Sequence, residues 1–296
     1  MPRDLVYQVD SRCELLAYLM SRQPSRPRKW AKDLLRFGAV TVPGKMNVRH
    51  DTQLVPGDVV RIAARDARQG EQPELQGLKI VHLDDAIVVI DKAAGLLSMG
   101  SGAEKQKTAH RILNEYLKTL VKADAQQAFI VHRLDRETSG LIIFARRESI
   151  QAALQREWKR VTKKYLAVVE GALETAQGTL RDNLLETSSL LVRRVNTGGE
   201  LAITRYRVLE TQGNNSLLEL ILETGRKHQI RVQLASMGHP IVGDPKYGAR
   251  TDPARRLALH SYALSFCHPV TGAMMEFRSA LPQRLRALVD RRRLRG

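Results

Sequence analysis

The sequence predicts an α+β fold, a largely antiparallel mixed sheet with flanking helices, preceded by a small α/β domain. Three observations lead there. From residue 78 on, several strand patterns follow one another without the regular strand–helix alternation that a doubly wound sheet requires. Before the tail, only three stretches in that region, 108–122, 148–156 and 227–237, carry helical spacing. Residues 67–77, Ala-Arg-Gln-Gly-Glu-Gln-Pro-Glu-Leu-Gln-Gly, have almost no apolar content and read as a linker between this region and a shorter one.

In the shorter region, Leu15, Leu16 and Leu19 give 13–20 a helical stripe. A second helix is expected over 29–37, closed by Gly38 as its C-cap. Val40-Thr41-Val42, a Pro43-Gly44 turn and Leu54–Ile62 then read as small strands. Arg22, Arg26, Arg28, Lys29, Lys32 and Arg36 crowd the two helices, which gives the module a basic face.

Beyond the linker, strands are expected at 79–82, 86–91, 129–131, 141–145, 165–170, 204–209, 216–223, 257–266 and 273–277. The tail 283–296 is rich in arginine and carries Leu285, Leu288 and Val289, an amphipathic helix expected to end in a frayed basic arm. A solvated helical face accounts for that pattern.

The chain of 296 residues is 43% hydrophobic, an ordinary globular composition, but 48 Lys and Arg against 31 Asp and Glu give it a net charge of +17. Such a field favours a polyanion, nucleic acid before an anionic membrane. No apolar run approaches the ~18–20 residues needed to span a bilayer. Met1–Tyr7 shows no secretory or transit pattern, and Cys13 and Cys267 form neither a disulfide framework nor a zinc pattern. The expectation is a soluble, cytoplasmic, monomeric protein without metal or cofactor.

The most informative run is His132–Leu141, His-Arg-Leu-Asp-Arg-Glu-Thr-Ser-Gly-Leu. It places the Asp135 carboxylate between Arg133 and Arg136 on a loop between two apolar strands, which should keep the carboxylate ionised. Thr138, Ser139 and Gly140 suit a tight turn. A charge-balanced surface loop would explain a bare Arg-Leu-Asp-Arg quartet. The ten residues together resemble the catalytic loop of the RluA family of RNA pseudouridine synthases.

Two further stretches carry the same resemblance. Lys163-Lys164-Tyr165-Leu166-Ala167-Val168-Val169-Glu170-Gly171 is similar to the family's second motif. Residues 222–248 contain Thr-Gly-Arg-Lys-His-Gln-Ile-Arg and then Gly-His-Pro-Ile-Val-Gly-Asp-Pro-Lys-Tyr-Gly, similar to its third. One departure is Lys92-Ala93-Ala94-Gly95, where the family often has Lys-Pro-x-Gly. The first region resembles an S4 RNA-binding domain. The organisation expected is therefore 1–66 S4-like, 67–77 linker, 78–282 catalytic domain with the pseudouridine synthase fold, and 283–296 basic tail.

The resemblance implies Asp135 as the catalytic carboxylate, Tyr165 stacked on the target base, and Arg231 in a bidentate ion pair with Asp135. It implies that Arg133 stacks into the space left by a flipped nucleotide. Arg226, Lys227 and His228, expected in the first turn of a helix, together with Arg136, Arg26, Arg28, Lys29 and Lys32, are the expected RNA contacts. His260 and His268 are given no chemistry. Uridine isomerisation needs neither water nor cofactor, whereas an O-glycosidase needs two carboxylates. Asp135 can attack the sugar or remove a sugar proton, and Tyr165 or Asp135 can take the C5 proton. The RNA expected is large-subunit ribosomal RNA. A transfer RNA substrate, a non-catalytic ribosome assembly factor and a base-removing glycosylase are the rival readings.

Overall fold

The computed structural model describes residues 5–24, 26, 28–36, 40–45, 48–62, 74–100, 108–120, 127–189 and 191–290. The chain forms two compact units, Met1–Gln72 and Pro73–Gly296.

In the first unit, β1 (Leu5–Gln8), β2 (Cys13–Glu14), α1 (Leu15–Arg22), α2 (Arg28–Arg36), β3 (Val40–Thr41), β4 (Gln53–Leu54) and β5 (Val59–Ile62) follow in order. The first helix starts two residues later than its apolar stripe suggested, because Cys13 and Glu14 pair with Leu54 and Gln53. Leu15, Leu16, Tyr18 and Leu19 bury their side chains against Val40, Leu54, Val60 and Ile62. Gly44 (φ 83°) makes the turn bridged by Val42 and Lys45. The expected cap at Gly38 lies outside the described residues.

The second unit comprises β6 (Glu74–Leu75), β7 (Leu78–Leu83), β8 (Ile87–Lys92), α3 (Ala109–Leu120), β9 (Phe129–Ile130), β10 (Ser139–Ala145), α4 (Glu148–Arg156), β11 (Thr162–Glu170), β12 (Gln177–Glu186), β13 (Val192–Val195), β14 (Glu200–Gln212), β15 (Asn215–Leu222), α5 (Gln229–Ser236), β16 (Leu259–Cys267), β17 (Met274–Arg278) and α6 (Gln283–Arg286). Its 12 strands form one sheet in the order β13-β12-β14-β15-β11-β16-β10-β8-β7-β6, with β17 on β16 and β9 on β10. Of the pairings between these strands only β10–β16 is parallel, so the mixed, largely antiparallel α+β expectation holds.

The centre of the sheet is buried on both faces, which is why β8 and β10 read as unbroken apolar runs. Val88, Ile90, Ile142 and Phe144 meet Leu113 and Leu117 of α3 on one face. Ile87, Val89, Leu141 and Ile143 meet Ile150 and Leu154 of α4 on the other. Each such fully buried side chain contributes roughly 1.5–3 kcal/mol.

Several boundaries differ from expectation. Glu74 and Leu75, expected in the linker, pair with Lys79 and Leu78 and so belong to the sheet, while 67–73 lie outside the described residues. Ser139 and Gly140 are not turn residues: they open β10 beside His260 and Ser261, and the turn is closed one step earlier by Thr138 N–H on the Asp135 carbonyl at 3.1 Å. Gly140 (φ 116°) is required there, since a Cβ would lie 2.2 Å from the Ser261 carbonyl oxygen. The tail opens with a short helix, as expected, but the apolar face of that helix is not solvated. Leu285 and Val289, both 0% exposed, anchor it in the main core, and 291–296 lie outside the described residues.

Candidate active site

Asp135 lies on the loop between β9 and β10, and that loop is gripped from beneath on both sides of the carboxylate. On one side, the buried Ser98 hydroxyl donates to the Leu134 carbonyl (2.7 Å) and accepts from the Leu134 N–H (3.0 Å). On the other, the Arg136 carbonyl accepts from Gly95 N–H at 2.8 Å and from Lys92 Nζ at 3.1 Å. Lys92 is wholly buried and spends its remaining donors on the Ala93 and Leu96 carbonyls. Burial pushes its ammonium down, to about 7. The Pro missing after Lys92 leaves this brace intact. His132, at the loop entrance, is held neutral by burial, with a pKa of about 3. Its Nε2 accepts the Ile143 N–H, and its ring stacks on Trp158 at 4.4 Å between centroids.

The second contribution comes from the centre of the sheet. Tyr165 on β11 is 8% exposed and lies in the main core with Ala167 and Val169. Burial, with the Asp135 charge as a lesser cause, holds its phenol above the ordinary tyrosine range, against a hydrogen bond to Ser261. The third comes from the β15–α5 connection. Gln229 fixes it: its Oε1 accepts from Arg226 N–H and Thr224 Oγ1, and its Nε2 donates to the Ile203 carbonyl and Thr204 Oγ1. Gln233 ties the same helix to Thr204, Asp182 and Ala202.

These elements bring Asp135, Tyr165 and Arg231 to the wall of one cavity of about 100 Å³, with Arg133, Arg226 and His228 also on its lining. A wider hollow of about 410 Å³ over Gln177, Thr179, Arg205 and Arg207 has no comparable set of converging groups. Among the described residues no cluster of side chains is arranged to hold a metal ion.

The expected bidentate pair is corrected by the geometry. Arg231 reaches Asp135 only end-on, Nη1 to Oδ2 at 3.7 Å. Its fork is taken by Asp244, Nε to Oδ2 and Nη2 to Oδ1, both 2.7 Å. Asp244 is 1% exposed, so the guanidinium is oriented from behind and offers one edge to Asp135. Tyr247 completes the support, with its ring centroid 5.0 Å from Arg231 Cζ and its hydroxyl 2.7 Å from His228 Nδ1. Asp244 and Tyr247 stand in the Gly-Asp-Pro-Lys-Tyr-Gly stretch, but nothing local in the sequence shows that they support Arg231.

His228 is also not where it was expected. The helix begins at Gln229, and His228 precedes it in the left-handed region (φ 54°). A non-glycine residue there is strained, and such strain concentrates at functional sites. Its Nε2 lies 3.9 Å from Asp135 Oδ2. Burial lowers its imidazolium pKa, with Asp135 opposing and Arg231, Lys246 and Lys227 assisting. A neutral ring that accepts from Tyr247 at Nδ1 carries its proton on Nε2, the nitrogen facing Asp135.

The expected RNA contacts divide. Arg133 is exposed on the cavity rim. Arg226 pairs with Glu200 (2.6 Å) and bonds the Leu201 carbonyl, and Lys227 pairs with Glu186; both are exposed and precede the helix rather than forming its first turn. Arg136 is exposed but does not line the cavity, while Arg26, Arg28 and Lys32 are exposed in the first unit. The Lys29 side chain lies outside the described residues.

Comparison with known proteins bears on the family of the chain. A sequence profile of the RNA pseudouridylate synthase family matches residues 86–236. Ribosomal large subunit pseudouridine synthase D of Vibrio cholerae is 34% identical over 86% of this chain and 83% of its own length. The protein of the same name from Escherichia coli K12 is 32% identical over 90% and 85%. An uncharacterized RNA pseudouridine synthase of Bacillus subtilis is 34% identical over 73% and 72%. Among solved structures, human RNA pseudouridylate synthase domain containing 4 superposes with a TM-score of 0.59 at 26% identity, over 70% of this chain and 92% of that one. The chain therefore belongs to the RNA pseudouridylate synthase family and is an RNA-modifying isomerase.

Proposed function

We propose that this enzyme converts specific uridines of large-subunit ribosomal RNA to pseudouridine, as a cytoplasmic monomer, with Asp135 as its catalytic carboxylate. The observation that carries the reading is the meeting of Asp135, Tyr165 and the braced Arg231 in one cavity. The relatives named for the large ribosomal subunit support the choice of RNA. The net charge of +17 supports a polyanion.

The reaction breaks the C1′–N1 bond, turns the uracil and forms C1′–C5. C5 gives up a proton and N1 gains one, so nothing is added or lost overall. Asp135 either attacks C1′ or removes a sugar proton to start elimination. Uracil leaves with the bonding electron pair, and Arg231 and the Nε2–H of His228 hold the carboxylate's direction meanwhile. Tyr165 enters as a phenol rather than a phenolate, because burial keeps its proton on. It therefore serves as a face for the base, and Asp135 is the better carrier for the C5 proton. Flipping the nucleotide costs a few kcal/mol, and Arg133 takes the vacated place in the stack. The first unit, with exposed Arg26, Arg28 and Lys32, is read as an S4-like domain that adds RNA affinity.

Carbodiimide mapping of ribosomal and transfer RNA from cells with and without the gene tests the substrate. Discrete sites in large-subunit RNA should disappear with the gene. Loss confined to transfer RNA would replace the substrate, and no lost site in either would refute the proposal.

A further inference from the structure

The cations around the cavity are not equally occupied. On the α5 side, Arg226 and Lys227 are held by Glu200 and Glu186. On the α4 side the balance is reversed. Residues 156–164 contain Arg156, Lys159, Arg160, Lys163 and Lys164 against a single acid, Glu157. That acid is taken by Arg160 at 2.8 Å. Arg156 and Lys159 are exposed and have no acidic partner among the described residues. Behind them Lys163 is 8% exposed. Its Nζ meets the Trp158 carbonyl at 3.3 Å and the Trp158 ring, 5.7 Å to its centroid.

This ridge is rigidly joined to the catalytic loop. Trp158 stacks on His132, the residue before Arg133. Gln151 donates to the Ile130 carbonyl at 2.7 Å, and Gln155 donates to the Val131 carbonyl at 3.3 Å. Like charges held close together repel and destabilise the fold unless an anion lies among them. The side chains that fix the ridge also fix the entrance to Asp135, so the excess charge keeps a constant position relative to the cavity.

We propose that Arg156 and Lys159, with Lys163 behind them and Trp158 as their footing, form a phosphate-binding ridge for the RNA strand flanking the target nucleotide. The strand then passes over Arg133 into the cavity, and the α5 side contributes little to affinity. The identity of the polyanion as RNA rests on the function proposed above; the ridge itself rests on the charge distribution.

The test uses the full chain with Arg156→Gln/Lys159→Gln, and Arg226→Gln/Lys227→Gln as reference. Binding to an unmodified in vitro transcript of large-subunit RNA is measured from 50 to about 300 mM KCl. The ridge variant should bind about tenfold more weakly near 150 mM, with a log–log salt slope shallower by about 1.5–2, as expected for two lost phosphate contacts. Its single-turnover rate at saturating RNA should stay within about twofold of wild type, and its thermal midpoint in the absence of RNA should not fall, since both residues are exposed and losing them relieves repulsion. The reference variant should change the slope by less than about 1. An unaltered slope in the ridge variant overturns the proposal, as does intact affinity with a slower step at saturation. If the wild type forms pseudouridine while the ridge variant binds normally, the ridge fails and the function stands. If the slopes behave as stated but no RNA is isomerised, the function fails and the ridge stands.

Discussion

Arg231 has two carboxylates in reach and gives its fork to the buried one. In the proposed mechanism one Asp135 oxygen must stay free to react; the Asp244 grip fixes the guanidinium plane and leaves Arg231 only one long contact to Asp135, at 3.7 Å. Asp244→Asn would leave a nearly buried guanidinium without its counter-charge. It should cost on the order of 3–5 kcal/mol of stability and lower turnover in the fraction that remains folded. Denaturant unfolding with single-turnover kinetics checks this, and a variant as stable as wild type would show the pair to be dispensable. At this scale the residues that meet in the cavity were legible and their support was not. Asp135, Tyr165 and Arg231 stand inside long, specific motifs. Ser98, Lys92, Asp244 and Tyr247 act through contacts 13 to 44 residues away in sequence, or 16 for the Tyr247–Arg231 stack, which no local pattern reports.

The elements explain how a loop can hold the proposed catalytic carboxylate, Asp135, without a helix or strand beneath it. Leu134 and Arg136 are bonded to residues 92–98, and β10 starts immediately afterwards in parallel register with β16. Ser98→Ala would leave the Leu134 N–H and carbonyl unpaired and should reduce turnover while leaving RNA affinity within about twofold. Equal losses in both would assign Ser98 to folding alone. A second hub joins two hairpins at the sheet's other end. Burial would raise Asp84, but His82 and the Ile87 and Ala86 N–H groups outweigh it and hold the carboxyl at about 2. His268 Nε2 also faces it at 3.2 Å. A depressed carboxyl contributes stability above its unfolded pKa near 4 and loses it as pH falls toward 2. The contribution is about 2 kcal/mol. Asp84→Asn should therefore destabilise by about that amount at pH 7 and by almost nothing at pH 2, measured by urea unfolding at both; an equal effect at both would reject the assignment. Most elements were legible because β8, β10, β15 and β16 are apolar and α4 has a clean helical stripe. β12 and β13 were missed, since Thr-Leu-Arg-Asp-Asn-Leu and Val-Arg-Arg-Val lie at a sheet edge with polar residues on most positions.

Over the whole molecule, the sheet supplies a rigid floor and the charge supplies the partner. Strands from both halves of the sheet converge at β11, β16 and β10, where Tyr165, Ser261 and the loop that carries Asp135 come together. The +17 charge identified a polyanion from composition alone, but not which cations would meet it. That distinction depends on the positions of Glu186 and Glu200, distant in sequence from the Arg226–Lys227 pair they neutralise. His132, enclosed beside Trp158, is held neutral, so protons favour the unfolded chain below about pH 6.5, before Asp84 begins to titrate.

The most direct test of the account is tritium release from large-subunit ribosomal RNA labelled at uridine C5, with wild type and Asp135→Asn compared at equal RNA occupancy. Wild type should release tritium in step with pseudouridine formation, and the variant should bind the RNA within about twofold of wild type yet release none above background. Measurable release by Asp135→Asn would contradict the claim that this carboxylate opens the glycosidic bond.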